Sequence, residues 1–146
     1  MTEIRKNDNV IEIPSSEDYL IEINDFLEAW LRRKKVSEDL IADFGIVISE
    51  LVNNAIRHGN KRDINKRVKL SLKYDKGEVT ADIADQGSGF DPESIPNPIA
   101  KENLMKEIGR GVFIVRALVD KIDFNFLPGR GTIVTIKKVI QPLSGQ

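Results

Sequence analysis

The chain has 146 residues, of which 40% are hydrophobic and 31% are charged, and these values predict a single globular domain spanning residues 1–146. Its 22 basic residues nearly balance its 23 acidic ones, so no overall charge would attract nucleic acid or an anionic membrane. Any anionic ligand must therefore be captured locally.

The inventory of reactive side chains and apolar runs excludes further classes of protein. There is no cysteine, which excludes disulfides and thiolate metal sites. The single histidine, His58, lies at a predicted helix end and is expected to be structural rather than catalytic. No apolar stretch reaches the ~20 residues of a membrane span. We therefore expect a cytoplasmic protein that contacts neither a membrane nor, directly, nucleic acid.

The N-terminal half is predicted to form a strand followed by two helices. Residues 10–13 are largely apolar and favour a short first strand. Ser15 or Ser16 offers an N-cap for the first helix, and Ser37 offers one for the second. Gly59 follows the last apolar residues of the second helix, where a glycine commonly ends a helix in the left-handed conformation.

The C-terminal half is predicted to form two strand pairs separated by a loop and a helix. Alternating apolar and polar residues at 68–74 and 79–83 indicate an antiparallel hairpin. Periodicity fails over 86–108, which predicts a long loop, and a third helix is expected from about residue 112. Two alternating segments near the C-terminus complete a two-layer α/β sandwich, a mixed, mostly antiparallel sheet with helices on one face.

The second helix carries three polar side chains that fall on one face. Glu50 and Asn54 are one helical turn apart, and Arg57 follows most of a turn later. A carboxylate, an amide oxygen and a guanidinium in a row could activate a nucleophile, coordinate a hard cation and contact phosphate. An ordinary solvated helix face explains the same spacing equally well.

Asp85 ends the second strand of the hairpin and shares the parity of its apolar residues. Its carboxylate is therefore expected to point towards the core, where an amino group of a ligand could donate to it. Gly87 and Gly89 follow and would let the backbone approach a flat ligand closely. An Asx turn with glycines that only bend the chain is the simpler alternative.

Two glycine-containing segments nearer the C-terminus are the remaining candidates. Gly109, Arg110 and Gly111 precede the predicted third helix, whose first N–H groups would form an anion site, although a hinge without a ligand fits equally well. Thr132 starts the last strand, and its hydroxyl is expected to face inward. No Gly-x-Gly pair continues to the third glycine of a dinucleotide fingerprint, and no glycine precedes a lysine as in a P-loop.

Taken in chain order, four segments resemble the N, G1, G2 and G3 boxes of the Bergerat-fold ATPases, which include gyrase B, the Hsp90 chaperones, histidine kinases and MutL. The segments are Glu50–Ala55, Asp85–Phe90, Gly109–Gly111 and Gly129–Thr132. The small stand-alone size and the N-terminal strand and helix resemble most the anti-sigma factor serine kinases of bacterial partner-switching systems.

The resemblance implies phosphoryl-transfer roles for the polar residues of the second helix. Glu50 matches the general base that takes a proton from a partner's serine, and Asn54 matches the magnesium ligand. Arg57 matches, more loosely, a basic phosphate contact. ATP or ADP with Mg²⁺ is thus the implied cofactor.

The remaining candidates match the nucleotide pocket of the same family. Asp85 matches the acceptor of the adenine amino group, with Gly87 and Gly89 packed beside it, and Thr132 helps to hold adenine. The phosphates would lie against the end of an ATP lid at about 91–108, formed by Gly109, Arg110 and Gly111.

Two functions follow from the resemblance. The first is an ATP-dependent serine kinase that acts as an anti-sigma factor. It would bind a sigma factor in one state and phosphorylate a STAS-domain antagonist in another, and it is expected to be a homodimer. The second is a nucleotide-dependent switch that binds a partner without phosphorylating it, which requires Asp85 and the lid but not Glu50 as a base. A degenerate fold that binds nothing is disfavoured because all four boxes are present.

Overall fold

Residues 3–87 and 97–140 are described by the computed structural model, in which six strands form one sheet and three helices pack against it. The strands are β1 (Arg5–Lys6), β2 (Val10–Pro14), β3 (Arg67–Asp75), β4 (Glu78–Ala84), β5 (Lys121–Leu127) and β6 (Gly131–Val139). The helices are α1 (Leu20–Arg33), α2 (Glu38–Asn54) and α3 (Pro98–Leu118), with a 3-10 turn at Glu17–Tyr19 and a π-helical turn at Ala55–Gly59. The predicted order of elements is confirmed, and the two-residue strand β1 is an addition.

The order of strands across the sheet is β1-β2-β3-β4-β6-β5, and every pairing among the described residues is antiparallel. The α/β sandwich is confirmed, but the sheet is antiparallel throughout rather than mixed. The reason is that the strand that follows α3 does not lie beside β4. Instead β6 lies between β4 and β5, and β5 forms the edge of the sheet.

One face of the sheet is covered and the other faces solvent. Along β3, Val68, Leu70 and Leu72 are fully buried, whereas the intervening Lys69 and Lys73 are exposed, the alternation expected of a sheet with one wet face. The buried residues of the covering helices are Ile23, Leu27, Trp30 and Leu31 in α1, and Ile41, Phe44, Val47, Ile48, Leu51 and Val52 in α2. Burial of this apolar face fixes the rotation of α2 and therefore the direction of its polar residues.

Side-chain caps start the first two helical segments at predicted serines. The hydroxyl of Ser16 accepts a hydrogen bond from the Asp18 N–H at 3.2 Å, and that of Ser37 accepts one from the Leu40 N–H at 3.3 Å. Each cap satisfies an N–H group that the helix leaves without a partner.

The third helix begins earlier than the sequence pattern predicts. The Asn97 side chain accepts hydrogen bonds from the N–H groups of Ile99 and Ala100 at 2.9 and 3.2 Å, and Pro98 occupies the first turn, so residues 98–108 are helical rather than loop. Periodicity fails to reveal this segment because α3 buries only Gly111 and Val115. Residues 88–96 of the predicted loop lie outside the described residues. Among the helices of residues 3–87 and 97–140, none is long and apolar enough to cross a membrane.

Candidate functional site

A cavity of about 170 Å³ lies at the end of β4, between the sheet, α2 and α3. Three of the predicted site residues, Asn54, Asp85 and Thr132, line it together. Most of the remaining wall is apolar and is formed by Leu51, Ile83, Ile108, Val112, Phe124 and Val134. Residues from five separate elements therefore converge on one concave, mainly apolar space, as ligand sites usually require.

Asp85 is held at the base of this cavity by backbone donors. Its Oδ1 accepts hydrogen bonds from the N–H groups of Gly87 at 3.0 Å and Thr132 at 3.1 Å. Among the described residues no donor reaches Oδ2, which leaves this oxygen for a ligand. Burial raises the pKa of the Asp85 carboxyl above its usual value, and the two N–H donors partly offset that rise.

Three glycines allow the backbone to close around Asp85. A Cβ at Gly59 would overlap Oδ2 of Asp85, and one at Gly131 would overlap its carbonyl oxygen. A Cβ at Gly87 would overlap the carbonyl oxygen of Gly59. Gly87 thus packs on the backbone of Gly59, and Gly59 and Gly131 pack on Asp85, whereas the predicted approach of Gly87 to a flat ligand stays a prediction.

Gly59 serves this packing and not the left-handed helix end that the sequence suggests. It lies in the π-helical turn Ala55–Gly59, and the described glycines with positive φ are Gly77, Gly129 and Gly131. The π-helical turn widens the end of α2 and brings Gly59 against Asp85. It also places His58 in the cavity wall. Such turns are frequent at functional sites.

Asn60 is a structural residue of the site that sequence reasoning missed. It is 2% exposed, and its Oδ1 accepts a hydrogen bond from the Gln86 N–H at 2.7 Å. Its Nδ2 donates to the Ser15 hydroxyl at 2.8 Å and to the Arg67 carbonyl oxygen at 3.0 Å. Asn60 therefore fixes the backbone directly after Asp85 relative to β3 and the end of β2.

Glu50 and Asn54 lie on one face of α2, beneath α3. A Cβ at Gly111 would lie 2.7 Å from Oε1 of Glu50 and 3.6 Å from Nδ2 of Asn54. Gly111 is buried, and a side chain at this position would require the Glu50 carboxylate to move. Asn54 lines the cavity, whereas Glu50 borders an open groove between α1 and α2.

Arg57 and His58 both face a single carboxylate on α3. Arg57 forms an ion pair with Oε1 of Glu107, and Nε2 of His58 lies 3.6 Å from the same oxygen. Burial lowers the pKa of His58, an effect that Glu107 opposes only in part. The predicted phosphate contact Arg57 is therefore occupied by an acidic side chain in this conformation.

The Gly109–Gly111 segment is not at a helix N-terminus. It lies within α3, where the backbone N–H groups belong to the helix, and Gly109 and Arg110 are exposed. The expected anion site at the start of a helix is thus wrong for this conformation, because Asn97 starts the helix more than two turns earlier. Gly89 lies outside the described residues.

The residues present fit an adenine nucleotide. The accessible Oδ2 of Asp85 can accept a hydrogen bond from an exocyclic amino group, and the apolar walls suit a flat ring. The absence of a Cβ at Gly59 leaves the room that Oδ2 of this carboxylate occupies. Asn54 supplies an amide oxygen, the hard ligand type that Mg²⁺ prefers.

The sandwich and its cavity between sheet and helices define a nucleotide-binding domain of the kinase-like ATPase class. The chain belongs to the histidine kinase-like ATPase domain family, whose family model matches residues 13–138.

Curated relatives extend the similarity to named proteins. The chain is 28% identical over 119 residues to the serine-protein kinase RsbW of Staphylococcus epidermidis, covering 77% of this chain and 75% of that protein. It is 29% identical over 128 residues to RsbW of Staphylococcus aureus, with 82% and 79% covered. The anti-sigma F factor of Thermoanaerobacter sp. strain X514 is 29% identical over 102 residues, with 68% and 71% covered.

Two solved structures share the fold. The RsbU and RsbW domains of Rv1364c from Mycobacterium tuberculosis match with a TM-score of 0.65 and 21% identity, over 90% of this chain and 32% of that one. The histidine kinase domain of the blue-light activated kinase EL346 from Erythrobacter litoralis matches with a TM-score of 0.53 and 22% identity, over 90% of this chain and 62% of that one.

Proposed function

We propose that the chain is an ATP-dependent serine kinase that also acts as an anti-sigma factor. In this proposal Asp85 accepts the adenine amino group and Thr132 helps to hold the base. Asn54 would hold the Mg²⁺ that neutralises charge on the phosphates. Glu50 is the general base, and Arg57 contacts the phosphates.

The observation that carries the proposal is the position of Glu50, one helical turn from the cavity residue Asn54 and at the border of an open groove. On one side its carboxylate lies against Gly111, beside the cavity residue Asn54. On the other it borders the open groove between α1 and α2. A carboxylate that borders an open groove next to a cavity residue suits a base that takes a proton from a hydroxyl on another protein.

The chemistry requires little of the protein beyond positioning. The serine oxygen forms a bond to the γ-phosphorus while the bond from that phosphorus to the β,γ-bridging oxygen breaks and ADP leaves. The serine proton passes to Glu50. The cavity holds the nucleotide in line with the incoming hydroxyl.

The names of the relatives support both activities. A serine-protein kinase and an anti-sigma F factor match most of this chain at 28–29% identity. We propose that this chain likewise binds a sigma factor and phosphorylates a serine of a STAS-domain antagonist. The chain would act in the cytoplasm as a homodimer.

The test is transfer of the γ-phosphoryl group of labelled ATP to a cognate STAS-domain protein. Wild type is expected to label a serine. Glu50→Gln should bind ATP as wild type does and reduce transfer by at least about a hundredfold, the low end of a general base's contribution. Asp39→Asn, in the exposed first turn of the same helix, is the matched control and should leave transfer unchanged.

The alternative of a switch without kinase activity gives a different result. ATP would bind and sigma-factor binding would depend on the nucleotide, yet no phosphoserine would form. Glu50→Gln would then change neither property.

A further inference from the structure

The edge strand β5 presents two phenylalanines on the same side of the sheet as Asp85. Phe124 pairs with Val134, which in turn pairs with Ile83. One row further along, Phe126 pairs with Thr132. Residues paired across antiparallel strands share a face, so both rings belong to the helix-covered side of the sheet.

These two rings are nevertheless poorly covered. Phe124 is 49% exposed and Phe126 is 54% exposed, whereas Ile83 in the same row is 1% exposed. The sheet extends past the helices at this edge, since the only buried residues of α3 are Gly111 and Val115. Of the two rings, Phe124 lines the cavity that contains Asp85, and Phe126 does not.

We propose that Phe124 is the aromatic wall of the base site, against which the purine ring packs when its amino group donates to Asp85. The inference rests on the proposed function, because it requires an adenine nucleotide in this cavity. The position fits this role because the cross-strand pair of Phe124 and Val134 lies next to Asp85 and Thr132 on the same face of the sheet. A flat ring that is hydrogen-bonded to Asp85 would extend towards Phe124.

Aromatic stacking would also cover apolar surface that Phe124 otherwise exposes. A base covers one face of a phenyl ring and removes apolar surface of both from water. Stacking tolerates different bases, whereas the Asp85 carboxylate selects an amino group, so the two residues divide affinity and selectivity between them.

The first test compares Phe124→Leu with Phe126→Leu by calorimetry with ADP. Leucine keeps an apolar side chain but removes the aromatic face. Phe124→Leu should weaken ADP binding about tenfold, in keeping with the effect of removing one base-stacking ring. Phe126→Leu is matched in strand, face and exposure, and should bind ADP as wild type does. Phe124→Tyr, which keeps the ring, should retain affinity.

The second test is spectroscopic and independent of activity. In Phe124→Trp, ADP should quench the new indole fluorescence, and in Phe126→Trp it should not. The native Trp30 is 4% exposed within the core and provides a constant background.

The outcomes separate this inference from the proposed function. If Phe124→Leu binds ADP as tightly as wild type, or if both leucine variants lose the same affinity, the role of Phe124 is overturned. The proposed nucleotide site would still stand in that case, provided that the wild-type protein binds ADP. A wild-type protein that binds no ADP would overturn both.

Discussion

Asp85 and Thr132 are joined by two hydrogen bonds in opposite directions. The Asp85 N–H donates to the Thr132 carbonyl oxygen at 3.0 Å, and the Thr132 N–H donates to Oδ1 of Asp85 at 3.1 Å. One carboxylate oxygen thus ties the end of β4 to the start of β6, while the other lies against Gly59 in the wall of the cavity. The same side chain therefore has a structural task, and in the proposed function its second oxygen is the ligand acceptor.

The different surroundings of the two carboxylate oxygens predict that Asp85→Asn weakens nucleotide binding without unfolding the protein. The amide keeps Oδ1 for Gly87 and Thr132 but replaces the accepting Oδ2 by a donor, so ADP affinity should fall by at least about tenfold. Folding should survive, because the substitution removes a charge that burial disfavours. Calorimetry with ADP and urea unfolding measure the two effects. Unchanged ADP affinity would refute the adenine contact.

The pH dependence of this variant follows from the raised pKa of Asp85. Between the ordinary aspartate pKa of 3.8 and the higher pKa of the folded state, the folded state binds more protons than the unfolded state. The stability contributed by Asp85 therefore decreases as pH rises through that window. The stability of Asp85→Asn relative to wild type should increase from pH 3.8 upwards and then level off above the folded pKa.

Gly131 and Gly129 form a matched pair for testing the close packing on Asp85. Both have positive φ, +108° and +75°, but a Cβ at Gly131 would overlap the Asp85 carbonyl oxygen, whereas at Gly129 it would meet nothing within 4 Å. Gly129→Ala should cost about 1 kcal/mol from backbone strain alone. Gly131→Ala should cost roughly 3 kcal/mol and weaken ADP binding. Equal losses in urea unfolding would show that the contact is unimportant.

Asn60→Ala should destabilise the fold although it lies outside the cavity wall. The change leaves the part-buried Gln86 N–H and Arg67 carbonyl oxygen without their partner, which predicts a loss on the order of 2 kcal/mol. Asn65→Ala, an exposed loop position, is the control and should change stability by less than about 0.5 kcal/mol. Similar unfolding midpoints for both variants would contradict the structural role.

Local patterns made part of this molecule predictable from sequence. The apolar period of α2 placed Glu50 and Asn54 on one face, and strand parity placed Asp85 on the covered side of the sheet. Both predictions depend only on repeats of 3.6 and 2 residues within one element. The structure confirms these placements, while the roles of the three residues remain predictions.

Other features depend on partners distant in the chain and left no local signal. Asn60 is defined by contacts with Ser15 and Gln86, and the packing of Gly59 by its contact with Asp85.

The early start of α3 escaped detection because so little of that helix is buried. Asn97 followed by Pro98 was the available signal for that start.

The ion pair between Arg57 and Glu107 leads to the last prediction, an increase in nucleotide affinity when it is removed. Glu107 pairs with the guanidinium of Arg57, which in the proposed function contacts phosphate, and this ion pair joins α3 to the π-helical turn. Glu107→Gln should therefore strengthen ATP binding several-fold, because the phosphates no longer compete with a carboxylate for Arg57. Glu102→Gln, which removes an exposed carboxylate paired with Lys106 on the same helix, should leave affinity unchanged. Calorimetry at low and moderate salt measures both variants. Weaker ATP binding in Glu107→Gln would mean that the ion pair holds α3 in the binding conformation and does not compete with the nucleotide.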